Sequence, residues 1–83
     1  MYRIMLADDE GIVIDSLKFI IEKEFGDLCE IQYAKTGRSV IELAESFRPD
    51  IAVMDIQMPG INGIDAMKEI KKSNSSTVFI VMS

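Results

Sequence analysis

Apolar positions along the chain switch repeatedly between two spacings. Ile4 to Ala7 form a short apolar run closed by Asp8 and Asp9, which predicts a buried strand. Val13, Ile14, Leu17, Ile20, Ile21 and Phe25 then recur at steps of three and four, the stripe of a helix, with Gly26 to end it. Cys29 to Ala34 suit a second strand. Val40, Leu43, Ala44 and Phe47 return to helical spacing, with Thr36 as a cap and Arg48-Pro49 as the stop. Ile51 to Met54 form a third apolar run that ends at Asp55. Met58-Pro59-Gly60 reads as a turn in which Pro59 fixes φ and Gly60 supplies a positive φ. Asn62 is placed to cap a helix carrying Ile64, Met67 and Ile70, and Gly63 suits close packing at its start. Ser73 to Ser76 make a polar loop, and Thr77 to Met82 are β-branched or aromatic enough for a fourth strand.

The resulting order is βαβαβαβ, an α/β arrangement. Strands separated by helices imply a parallel sheet with right-handed crossovers. The strands are apolar almost throughout, as expected of a sheet covered on both faces. Ligands of such sheets gather beyond the carboxyl ends of strands, where the strand order reverses. With the order 2-1-3-4, that point lies between strands one and three, where Asp8, Asp9 and Asp55 stand.

The 83 residues leave room for one domain, and 48% of them are apolar, enough for a core. Acidic residues outnumber basic ones 14 to 9, a formal charge of −5 that argues against a nucleic-acid surface and suits carboxylates gathered round a cation. The chain has one cysteine, Cys29, and no histidine. Cys-His metal clusters and histidine acid-base chemistry are therefore excluded, no disulfide forms within the chain, and a reducing, cytoplasmic setting is expected. The apolar N-terminus gives way to Asp8 and Asp9 too soon for a signal peptide or a membrane span.

Three crowded carboxylates repel one another, and a bound divalent cation relieves that repulsion. A small set of oxygen ligands suits Mg²⁺, which keeps several waters. A carboxylate beside such an ion can attack phosphorus without a general base, since it is already ionised at neutral pH. Alone, the Asp8-Asp9 pair fits a solvated loop equally well. Asp55 is harder to explain that way, because four apolar residues lead into it. Met54, Met58, Met67 and Met82 read as core filling, and Glu10 as a first-turn charge that favours a helix dipole.

Leu6-Ala7-Asp8-Asp9-Glu10, Asp50-Ile51-Ala52-Val53-Met54-Asp55, Met58-Pro59-Gly60-Ile61-Asn62-Gly63 and Ile80-Val81-Met82-Ser83 together resemble the successive signatures of response-regulator receiver domains. The run Asp55-Ile56-Gln57-Met58-Pro59-Gly60 is the most specific of them. The resemblance spans the chain and implies a flavodoxin-like receiver domain over residues 1–83. It implies that Asp55 accepts a phosphoryl group from a histidine kinase and thereby regulates an output domain outside this chain, expected to be transcriptional. It further implies that Asp9 and Asp55 ligate Mg²⁺ directly, Asp8 through water, and Gln57 through its backbone carbonyl. Ser83 matches the hydroxyl that contacts the phosphoryl group; without the resemblance it reads as a hydrated strand-end serine. A full receiver continues with a helix, a lysine-bearing strand and a further helix, so these residues are expected to be its front portion.

The main rival is a Mg²⁺-dependent phosphatase or phosphotransferase of the haloacid-dehalogenase type, which also uses a strand-end aspartate. That family places a second acid two residues later, where this chain has Gln57. A module that has lost its metal is the third reading, and the intact acid set speaks against it. The charge-free Thr77–Met82 run is expected to be an open sheet edge through which two copies pair or exchange segments, the alternative being a partly molten chain. No membrane contact and no direct nucleic-acid contact are expected.

Overall fold

In the computed structural model, which describes residues 1–82, the elements follow the predicted alternation. Strand β1 covers Tyr2–Ala7, helix α1 Gly11–Phe25, β2 Cys29–Ala34, α2 Gly37–Phe47, β3 Ile51–Asp55, α3 Gly63–Ser73 and β4 Val78–Met82. A single 3-10 turn, Gly26–Leu28, links α1 to β2. All pairings are parallel, in the order β2-β1-β3-β4. Strand β1 is thus interior, with Ile4 opposite both Ile31 and Ile51.

Interior position explains the burial of β1. Met5 and Leu6 both have 0% exposure although they point to opposite faces. Each is worth about 1.5–3 kcal/mol for full burial. Met5 and Ala7 join Val40, Ala44 and Phe47 of α2 and Ala66 and Ile70 of α3 in the larger core. Ile4 and Leu6 join Ile14 of α1 in a much smaller one.

That imbalance corrects the expected α1 stripe. Ile14 is buried and Leu17 and Ile21 are partly so, but Ile20 and Phe25 are 55% and 54% exposed. Ile64, expected on the inner stripe of α3, is likewise exposed; Ala66 and Ile70 take the inner positions. Where apolar residues sit on more than one side of a helix, spacing alone does not decide which arc meets the sheet.

The caps behave as expected. Thr36 accepts from the Ser39 amide while the Ser39 hydroxyl accepts from the Thr36 amide, a reciprocal pair at the start of α2. Thr36→Ala removes one half of it and is expected to cost about 1 kcal/mol, measured as a lower midpoint in urea with unchanged slope. Asn62 accepts from the Asp65 amide at 3.0 Å and opens α3. Helix α2 ends at Arg48 with φ 50°, so the stop lies in a left-handed residue just before Pro49. Glu10 occupies the cap position of α1, not its first turn, which has no acid.

Strand β4 begins at Val78, one residue later than expected. Thr77 is fully buried because its hydroxyl donates to the Pro49 carbonyl at 2.7 Å, while its amide turns back to Asn74. Asn74, placed in the expected polar loop, is also buried, and its side-chain amide donates to the same carbonyl. Together they tie the entry of β4 to the entry of β3. Among the described residues, no helix is long and apolar enough to cross a membrane.

Candidate functional site

Parallel pairing brings the carboxyl ends of β1 and β3 to one rim of the sheet. The register pairs Ala7 with Met54, so the next residues, Asp8 and Asp55, emerge side by side. Asp8 is 5% exposed, Asp55 is half-buried and Asp9 is exposed. Carboxylate oxygens, one from each of these three residues, lie within 4.8 Å of one another. The predicted trio therefore converges.

Local hydrogen bonds orient two of the three. Asp8 Oδ1 accepts the Glu10 amide at 2.9 Å, which bends the chain from β1 into α1. Asp55 Oδ1 accepts the Gln57 amide at 3.1 Å, an equivalent turn after β3. Glu10 and Gln57 thus serve the site through their backbone N–H groups. Gln57 itself is exposed, in the loop following β3. Ser83, the expected hydroxyl contact, lies outside the described residues.

No lysine or arginine among the described residues makes an ion pair with these acids; the ion pair found is Lys72–Glu69, on the surface of α3. Among the described residues, these acids have no cationic side chain within 4 Å. The donor set consists of hard oxygens alone, and ligand oxygens around Mg²⁺ at ~2.1 Å stand ~3–4 Å apart. The 4.8 Å cluster meets that spacing with small side-chain rotations or an intervening water. The residues present fit a small divalent cation.

Two glycines hold the loop that closes the site. A Cβ on Gly63 would stand 2.5 Å from the Asp55 carbonyl oxygen and 2.8 Å from Ile56 Cα, so α3 starts directly against the end of β3. The Gly63 amide donates to the Ile56 carbonyl at 2.8 Å. This is the close approach expected of Gly63. Gly37, at the start of α2, plays a parallel part that sequence reasoning missed. Its Cβ would collide with the Ile61 backbone, and its amide donates to the Pro59 carbonyl at 3.2 Å. A glycine straight after a capping threonine is the only local sign of it. Gly60 has φ 89°, as expected for its turn.

Comparison with known proteins places this geometry. The family description "Response regulator receiver domain" matches residues 4–83. The chemotaxis protein CheY of Thermotoga maritima is 40% identical over 81 residues, covering 98% of this chain and 66% of that protein. A transcriptional regulatory protein of Bacillus subtilis, YesN, is 37% identical over 83 residues, covering all of this chain and 23% of that protein. Among solved structures, the response regulator domain of Thermotoga maritima CheB superposes with a TM-score of 0.86 at 34% identity, over 98% of this chain and 59% of that one. The chain thus spans between about a quarter and two thirds of the length of these curated relatives. Fold, strand order, converging acids and a match along nearly the whole sequence agree: the chain belongs to the response regulator receiver domains.

Proposed function

We propose that residues 1–83 act as a phosphoryl-accepting signalling switch, with Asp55 as acceptor and a histidine kinase as donor. The observation that carries this reading is the convergence of Asp8, Asp9 and Asp55 at one sheet rim, with no cationic side chain among the described residues paired to them. Asp9 and Asp55 would hold Mg²⁺ directly, Asp8 through water, and the Gln57 carbonyl would add a ligand. When bound, the ion supplies charge neutralisation for the phosphoryl oxygens. The Gln57 amide holds the Asp55 carboxylate in one orientation. One Asp55 oxygen attacks phosphorus as the bond to the donor's imidazole nitrogen breaks, and an acyl phosphate results. Ser83 would bond a phosphoryl oxygen.

The acceptor is modified rather than turning over substrate, so the chain is a switch and not an enzyme in its own right. Gln57, standing where a haloacid-dehalogenase phosphatase carries its second acid, supports that choice. The switch would work in the cytoplasm on an output domain beyond these residues. A transcriptional output is favoured by the likeness to the regulatory protein YesN, and the acidic charge leaves direct nucleic-acid contact to that other domain.

The test is a small phosphodonor, such as acetyl phosphate, added with and without Mg²⁺. Intact mass is expected to rise by one phosphoryl group only with the ion, and hydroxylamine is expected to remove it, as it does an acyl phosphate. Asp9→Ala should weaken Mg²⁺ binding severely, as followed by amide shifts. Labelling independent of Mg²⁺, or steady hydrolysis of the donor without a stable phosphorylated form in either protein, would count against the switch.

A further inference from the structure

A basic residue stands in the same row as the acids. The ladder pairs Ala7 with Ala34 on one side of β1 and with Met54 on the other. The Asp8 amide donates to the Ala34 carbonyl at 3.3 Å, so the pairing of β1 with β2 runs on past the last strand residues. The next step along all three strands is therefore Lys35, Asp8 and Asp55, side by side. Side chains alternate between faces along a strand. Ile31, Leu6 and Val53, of the same parity as these three, belong to the cluster under α1. Lys35, Asp8 and Asp55 thus share the α1 side of the rim.

The Lys35 side chain runs toward α1. Its Nζ lies 3.4 Å from the point where a Cβ on Gly11 would stand. Gly11 opens α1, directly after Asp8, Asp9 and Glu10. The start of a helix is the positive end of its dipole, an unfavourable place for an ammonium. The first turn of α1 holds no acid to offset this. The attraction comes instead from the carboxylates of the preceding loop, yet among the described residues Lys35 is not held in an ion pair. Lys23 and the pair Lys71 and Lys72 mark the last turns of α1 and α3, at the other end of the sheet. Arg38 is carried by α2, which packs on the opposite face.

We propose that Lys35 draws an anionic phosphodonor to Asp55; this rests on Asp55 being the acceptor. A donor such as acetyl phosphate approaches three carboxylates at this rim, and a divalent ion offsets only part of their charge. An ammonium two strands away, ~10 Å at ~4.8 Å per strand, adds attraction over about one Debye length at physiological ionic strength. Lys35 makes and breaks no bond in the transfer and is a positioning residue. Its charge has a second consequence. What attracts the donor repels Mg²⁺, so losing it should weaken one affinity and strengthen the other.

Labelling of the 83-residue chain by acetyl phosphate at saturating Mg²⁺, low salt and sub-saturating donor tests this, with Mg²⁺ affinity measured separately by amide shifts. Lys35→Gln is expected to slow labelling about two- to fivefold and to tighten Mg²⁺ binding by a similar factor. Lys35→Glu should enlarge both effects, Lys35→Arg should restore the parent values, and raised salt should erase the differences. Lys23→Gln, the same charge change at the far end of α1, should leave both near the parent. A structural defect would not move the two affinities in opposite directions. Label uptake that is the same in Lys35→Gln and the parent, Mg²⁺ binding that weakens in Lys35→Gln, or equal effects from Lys23→Gln would overturn the proposal alone. A parent chain that takes no label at all would overturn the acceptor reading, and the proposal with it.

Discussion

Asp55→Asn is expected to abolish phosphoryl incorporation while leaving the fold intact. The amide keeps the size of the carboxylate and still offers Oδ1 to the Gln57 amide, so the turn after β3 survives. What disappears is the nucleophile, because an amide oxygen does not form a stable phosphoryl adduct. The same change removes one of three crowded negative charges that have no paired cation among the described residues. Without Mg²⁺ the variant should therefore be at least as stable as the parent, and its Mg²⁺ affinity should fall. Intact mass after exposure to the phosphodonor, paired with urea melts with and without Mg²⁺, separates these effects. Label retained in Asp55→Asn would place the acceptor elsewhere. A large loss of stability would mean that the carboxylate serves the fold and not the chemistry.

The second large effect is structural. Gly63→Ala is expected to destabilise the chain by about 2–3 kcal/mol, a heavy loss for a small domain with ~5–15 kcal/mol in total. Its new methyl meets backbone, the Asp55 carbonyl oxygen at 2.5 Å and Ile56 Cα at 2.8 Å, and backbone at a strand end has little room to yield. Relief requires α3 to lift from β3, which also displaces Asp55. Gly60→Ala is the matched comparison. Gly60 has φ 89°, but nothing lies within 4 Å of the place its methyl would take, so that change carries only backbone strain of about 1–2 kcal/mol. Urea midpoints should fall in the order parent, Gly60→Ala, Gly63→Ala, and Mg²⁺ binding should suffer most in Gly63→Ala. Equal midpoints for Gly63→Ala and the parent would show that α3 does not press on the site.

Much of this architecture is legible where one residue controls a local event. Thr36 and Asn62 signal their helices because a side-chain oxygen satisfies an amide that the helix leaves free. Asp8 and Asp55 are legible as a pair only through the strand order, since 46 intervening residues say nothing about distance unless β1 and β3 are neighbours. Spacing does less well on α1. Ile12, Phe19, Ile20 and Phe25 spread apolar character around much of the helix; Ile14 points inward as its spacing predicts, but only packing reveals that Ile20 and Phe25 face outward. Thr77 reads as strand by propensity, yet its hydroxyl is committed to the Pro49 carbonyl. Gly37 is unreadable for a similar reason: what forbids a side chain there is Ile61, from a loop far along the chain.

The interior position of β1 also governs how the fold can be reached. Both partners of β1 lie downstream of it, and one of them, Ile51–Asp55, follows two complete helices. Until β3 has been made, Met5 and Leu6, which end with no exposure at all, have no second neighbour to shield them. Closing so long a loop before its contacts reward it is slow, which puts the chain among folders of the millisecond class rather than the microsecond helical bundles. Refolding speed should then be limited by the meeting of β1 with β3, and a nascent chain arrested before Ile51 would hold what becomes its most buried strand only half covered.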